Sequence, residues 1–152
     1  MGTCQTSTKG VSSPFPDLHL ATWDNTVPFV PPITGGYVIK VYDGDTITVA
    51  NRLPIPNSPL FRFSVRLRGI NAAEMKPLDG PQFGEAQRAK DALTQMVLGK
   101  IVFFEDVGTE KYGRFLASVY VLHKTGRVHV NEWMVQNALA APYKTAATKQ
   151  KK

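Results

Sequence analysis

Three short blocks hold the side chains that could do chemistry: Asp43-Gly44-Asp45-Thr46, then Arg66-Leu67-Arg68-Gly69-Ile70-Asn71-Ala72-Ala73-Glu74, then Glu110-Lys111-Tyr112-Gly113-Arg114. Each joins the end of an apolar alternating run to a turn, where side chains from separate strands can converge. Phosphodiester cleavage needs the phosphate charge neutralised, a water positioned and the five-coordinate transition state stabilised. Arg66 and Arg114 suit the phosphate, because a guanidinium stays charged and presents paired N–H donors. Asp45, beside the turn, is the best carboxylate for a hard divalent cation. The Asn71 side-chain carbonyl and the Ala72 backbone carbonyl are further oxygen donors. Glu74, eight residues after Arg66, is the candidate general base. His19, His123 and His129 are scattered, so a zinc site is set aside. Singly, Asp-Gly-Asp is an ordinary turn and an arginine on an alternating strand is a solvated face; the three blocks together carry the argument.

The elements that must position these blocks follow from periodicity. Tyr37–Tyr42 and Thr46–Ala50 read as a hairpin around Asp43-Gly44, a strong turn dipeptide. In 61–67, Phe61, Phe63, Val65 and Leu67 alternate with Arg62, Ser64 and Arg66, which predicts a half-buried strand with Arg66 on its polar side. Phe83 to Leu98 recurs at helical spacing, and Gly99 is a natural stop. Residues 101–107 and 115–122 are β-rich runs joined by the Lys111–Arg114 turn. A short strand over 128–130 leads to Asn131 as N-cap of a helix over 132–140, ended by Pro142. Strands first, one late helix and short hairpins predict a small closed barrel with helices on its flank.

The rest of the chain divides around that unit. Residues 1–12 are polar and expected to be disordered. Residues 13–35 mix five prolines with Phe15, Leu18, Leu20, Trp23, Phe29 and Val30. They are expected to pack as an apolar arm along the domain spanning 36–142. Residues 143–152 form a basic tail.

At 152 residues with 43% hydrophobic content, one domain with one sizeable core is expected. The formal charge is +6, but Lys144, Lys149, Lys151 and Lys152 supply four of it. The body is therefore no broad polycation, and phosphate binding must rest on a few placed arginines helped by the tail. No apolar run reaches the roughly 18 residues that a membrane span needs. No charged start leads into an apolar h-region, which argues against a cleaved secretory signal. Cys4 stands alone, without an internal disulfide or thiolate partner. An intracellular location, cytoplasmic or on the inner face of a membrane, and a monomer are the expectations.

The three blocks, in order, resemble the signature stretches of the staphylococcal (micrococcal) nuclease family, also called thermonuclease-like. Val130-Asn131-Glu132 before a helix is a fourth, weaker match, and the likeness runs from about Tyr37 to Pro142. The resemblance implies an α+β, mainly β, OB-fold: a five-stranded barrel with flanking helices. It further implies Ca²⁺-dependent endonuclease action on DNA and/or RNA by in-line water attack, leaving 3′-phosphate and 5′-hydroxyl ends. By that likeness Asp45 is the first metal ligand and Asp43 an outer-shell carboxylate. Glu74 is the base or water positioner, and Arg66 and Arg114 bind the scissile phosphate. Lys111 and Tyr112 line the nucleotide pocket, with Tyr143 in loose register for a further tyrosine there.

Two departures stand out. Asn71 falls where the family has a second metal carboxylate, which lowers the site's charge by one and predicts a higher cation requirement. The family's long C-terminal helix is not matched, and the apolar arm could cover the surface it would protect. The alternative reading is a catalytically silent nucleic-acid-binding OB domain, for which Asn71 is the one favourable feature. A membrane-tethered adaptor leaves the convergent charged residues unexplained. Met1-Gly2-Thr3-Cys4-Gln5-Thr6 also fits the M-G-x-x-x-[ST] pattern for myristoylation at Gly2, with Cys4 placed for a second acyl chain.

Overall fold

The computed structural model of the chain describes residues 14–143. β1 (Gly35–Asp43), β2 (Thr46–Asn51) and β3 (Phe61–Leu67) form an antiparallel meander. After β4 (Ile70–Asn71) comes α1 (Phe83–Val97), followed by β5 (Ile101–Thr109) and β6 (Phe115–His123). β5 pairs antiparallel with β1 on one side and β6 on the other. Parallel pairing of β3 with β6, Val65 opposite Phe115 and Leu67 opposite Ala117, closes a five-stranded barrel. The closed order β1-β2-β3-β6-β5 is that of an OB-fold, mainly β with two helices. β7 (Gly126–His129) extends the sheet beside β6, and α2 (Val130–Gln136) follows it directly.

Alternation makes this possible. Val38, Val41, Ile47, Val49, Val65, Leu67, Val102, Phe104, Ala117, Val119 and Val121 all point into the barrel and are buried. α1 plugs one side with Ala86, Ala89, Leu93 and Val97, spaced as a single helical face. Gly99 adopts φ +73 just past the helix, the left-handed step that lets the chain turn into β5.

The expected strand over 61–67 and the helix from Phe83 stand as read. Three expectations need correction. Asn131 does not cap α2 from outside; it lies within the helix, 2% exposed. Its Oδ1 accepts from the Val119 N–H at 2.9 Å, and its Nδ2 donates to the Arg68 carbonyl at 2.8 Å and to the Ala117 carbonyl at 3.2 Å. The short β3–β6 closure leaves backbone groups that only a side chain with both donor and acceptor can satisfy. Asn131→Ala should therefore strand several buried polar groups and cost roughly 2–4 kcal/mol in urea unfolding.

Second, α2 stops at Gln136, well before Pro142. Ala138 takes φ +57, and the Leu139 and Ala140 N–H groups turn back to the Met134 carbonyl. That reversal aims Ala141–Pro142, as β8, along β4, where Ile70 faces Pro142 and Asn71 faces Ala141. Third, most of the apolar arm is exposed. Phe15, Leu18, Leu20, Trp23, Val27 and Phe29 are open to solvent, and burial begins only near the barrel, at Ile33. Prolines remove backbone donors, and Thr22, Asn25 and Thr26 bond within the arm itself. Among the described residues no helix is long and apolar enough to cross a membrane.

Candidate active site

The Asp43–Thr46 turn is where the site begins. An Asx contact, Asp45 N–H to Asp43 Oδ1 at 3.1 Å, shapes it. Gly44 has no side chain for a steric reason: a Cβ there would lie 2.6 Å from Ala89 Cβ and 2.7 Å from Ala72 Cβ. The turn is thus pressed against both α1 and the Asn71–Glu74 segment, and a side chain at 44 would push the acidic pair away from both.

Asp45, 6% exposed, is the centre of a polar knot. Its Oδ2 accepts from the Ala72 N–H at 2.8 Å and lies 3.4 Å from an Arg66 guanidinium nitrogen; its Oδ1 accepts from the Thr46 hydroxyl at 2.9 Å. Arg66 also donates to Asn71 Oδ1 at 2.8 Å and to the Ile70 carbonyl at 3.4 Å. The strand register accounts for this, since Arg66 sits opposite Thr46 on neighbouring strands. Ala72 meets Asp45 through its N–H, while its expected contribution was a carbonyl.

Beside the knot is a cleft of about 460 Å³ lined by Asp43, Glu74 and Arg114 together with Lys40, Lys76 and Lys90. A second hollow of about 530 Å³, lined by Asn71, Ala72, Ala73 and Glu74, meets it at Glu74. Arg114 is half-buried, 3.1 Å from Glu110 Oε2, and its Nε is buried without a hydrogen bond. Lys40, Lys76 and Lys90 were not singled out from the sequence. Lys40 shares the outer side of β1 with Tyr42, a pairing that alternation could have flagged. With Arg114 they give the cleft more positive than negative charge, a field suited to a polyanion.

Lys111, exposed, and Tyr112 belong to the turn at Lys111–Gly113. Tyr143 is exposed and held by its backbone, N–H to the Gly69 carbonyl at 2.7 Å; it does not line the cleft. Gly2 and Cys4 lie outside the described residues.

Asp43, Asp45 and the Asn71 amide offer the oxygens that suit a hard cation, while the Arg66 guanidinium now lies against both Asp45 and Asn71. Among the described residues no three acidic, histidine or cysteine side chains gather into a metal cluster. The sign of strain that a cation would relieve is on Asp43. Burial first, and the neighbouring Asp45 charge second, push its carboxyl up from 3.8 to about 6. Below about pH 4 Asp43 is protonated folded or unfolded and costs nothing. Between there and about pH 6 the folded chain binds more protons than the unfolded one, so stability falls as pH rises. Solvent screening of this half-exposed group leaves a penalty of about 1–2 kcal/mol above that range. Urea unfolding of the cation-free protein from pH 4 to 7 should show this decline, and Asp43→Asn should flatten it.

An OB-fold barrel with a basic, carboxylate-bearing cleft at one end is the class that fold and site define. Within it, the family model described as Staphylococcal nuclease homologue matches residues 64–152, and the chain belongs to that family. It is 34% identical over 114 residues to Protein ParB of Escherichia coli, covering 72% of this chain and 57% of that protein. It is 29% identical over 84 residues to the Probable endonuclease LCL3 of Komagataella phaffii, covering 55% and 37% of the two chains. An Uncharacterized endonuclease of Escherichia coli O157:H7 is 30% identical over 110 residues, 71% of this chain and 60% of its own. The chain thus spans from about a third to three-fifths of the length of these relatives.

Proposed function

We propose that the chain is a Ca²⁺-dependent endonuclease that hydrolyses phosphodiester bonds of DNA and/or RNA. The supporting observation is one basic cleft whose walls include Asp43, Glu74 and Arg114, with the Asp45–Arg66–Asn71 knot beside it. Its likeness to proteins named as endonucleases agrees with this reading.

In the proposed reaction, Glu74 takes a proton from a water lined up behind the phosphorus. Arg66 and Arg114 bind the phosphate oxygens and gain contact as charge builds in the five-coordinate transition state. The bond from phosphorus to the 5′ oxygen breaks and that oxygen takes a proton from solvent water, leaving a 3′-phosphate and a 5′-hydroxyl. Asp45, Asn71 and the Ala72 carbonyl would hold the cation, with Asp43 as an outer-shell carboxylate, and the cation would supply charge neutralisation at the phosphate. Arg66 must exchange its bond to Asn71 for substrate, and Arg114 its pairing with Glu110.

One observation favours a second reading, a silent nucleic-acid-binding domain. Asn71 Oδ1, the oxygen standing in for a carboxylate, is already engaged by Arg66. Incubating purified protein with single- and double-stranded DNA and with RNA, in Ca²⁺ or EGTA, separates the two. Cleavage that EGTA abolishes supports the nuclease; tight binding without cleavage in millimolar Ca²⁺ supports the silent domain. Acylation at Gly2, reinforced at Cys4 and bringing the chain to a membrane's inner face, is a separate proposal. Mass spectrometry of the native N-terminus finding an unmodified Gly2 would dismiss it.

A further inference from the structure

The arm leaves the barrel along β5. Ile33 is buried, and the Phe104 N–H donates to the Thr34 carbonyl at 2.8 Å, so the stretch before Thr34 runs back beside β5 toward its far end. There Val27, Pro28, Phe29 and Val30 face Gly108 and Thr109 across a groove of about 740 Å³. Phe29 is 70% exposed on this groove. Pro28, Pro31 and Pro32 fix their own φ angles, which limits the backbone freedom of the stretch that carries Phe29.

What makes the groove more than an apolar hollow is where it ends. Thr109 directly precedes Glu110, whose N–H donates to the Arg114 carbonyl at 2.9 Å and whose carboxylate pairs with the Arg114 guanidinium. The groove therefore opens at the foot of the turn that carries Arg114 into the cleft, with Lys111 exposed on the same turn.

We propose that this groove takes one unpaired base of a single-stranded nucleic acid, with Phe29 as its stacking face, while Lys111 and Arg114 meet the adjoining phosphates. The inference rests on the nuclease reading for the position of the scissile phosphate and adds a preference for single strands. In a duplex both faces of each base are already stacked, so Phe29 has nothing to cover; in a single strand they are available. The contact is confined to one base. Farther along, residues 14–34 carry Asp17 and Asp24 and no lysine or arginine, which repels a phosphate backbone.

The test uses the full chain in EDTA, where nothing is cut, with a labelled oligonucleotide single-stranded or annealed to its complement. Phe29→Ala should bind the single strand about tenfold more weakly and the duplex as wild type does; Phe29→Tyr should keep wild-type affinity for both. Exposure of Phe29 means that the substitution leaves the core intact. The proposal is overturned if wild type does not bind single strands, or if Phe29→Ala changes neither affinity or both equally. It is also overturned if wild type forms a concentration-dependent dimer that Phe29→Ala abolishes, since a second copy would then fill the groove. A chain that binds single strands through Phe29 yet never cleaves them in Ca²⁺ would keep this inference and lose the nuclease reading. One that cleaves, with Phe29→Ala indistinguishable from wild type on both substrates, would do the opposite.

Discussion

Glu74→Gln should lower the cleavage rate by about two to four orders of magnitude while leaving urea unfolding unchanged. Glu74 is exposed where the two hollows meet, so it supports no packing, and its substitution removes a carboxylate without opening a cavity. Gln keeps the size and a hydrogen-bonding oxygen but cannot take a proton. The loss should therefore fall on kcat, with KM within a few-fold of wild type. Arg114→Ala gives the contrasting pattern. It removes a phosphate contact present in both ground and transition states, so KM should rise while kcat falls by about two to three orders of magnitude. Rates for Glu74→Gln close to wild type in saturating Ca²⁺ would show that another group activates the water.

The second large effect concerns stability. Asp45→Ala should cost about 3–5 kcal/mol in urea unfolding, because one carboxylate answers three neighbours at once. Without it the Ala72 N–H and the Thr46 hydroxyl lose their acceptor, and Arg66, with a side chain only 13% exposed, keeps its charge but loses its counter-ion. Relief of the repulsion on Asp43 offsets part of this above about pH 6, so the loss should be larger below that, where Asp43 is protonated in wild type and no repulsion remains to relieve. Asp45→Asn, which can still accept from Ala72, should fall between the two. A loss below about 1 kcal/mol for Asp45→Ala would mean that solvent replaces these contacts at little cost.

These two residues illustrate how differently the parts of the site depend on the fold. Glu74 is exposed, and the expectation that it serves as base rests on its spacing after Arg66, which involves no burial. Asp45 owes its importance to burial against Ala72 and Arg66, which needs β2 to lie beside β3 in one register, Thr46 opposite Arg66. Alternation over 61–67 indicated that Arg66 leaves the core, but not that its guanidinium would rest on Asn71 and Asp45 rather than in solvent. The lysines of the cleft escaped notice for a similar reason. Lys40 is on β1, Lys76 on the loop before α1 and Lys90 on α1 itself, and no local pattern links them.

The amino-acid order by itself determined the strands of the meander, the helix from Phe83, the turn chemistry at Asp43-Gly44 and the family to which the chain belongs. All of these are written in periodicity or in residues only a few positions apart, where the backbone geometry of a strand or helix fixes which side chains share a face. Tertiary structure alone decided the parallel closure of β3 on β6, the threefold bonding of Asn131, the pairing of β4 with β8 and the exposure of the arm. Each depends on whether a distant segment arrives to satisfy a buried N–H or cover an apolar side chain. Asn131 reads as a helix cap until β6 is beside it, and the arm reads as buried until its prolines leave it without a partner strand.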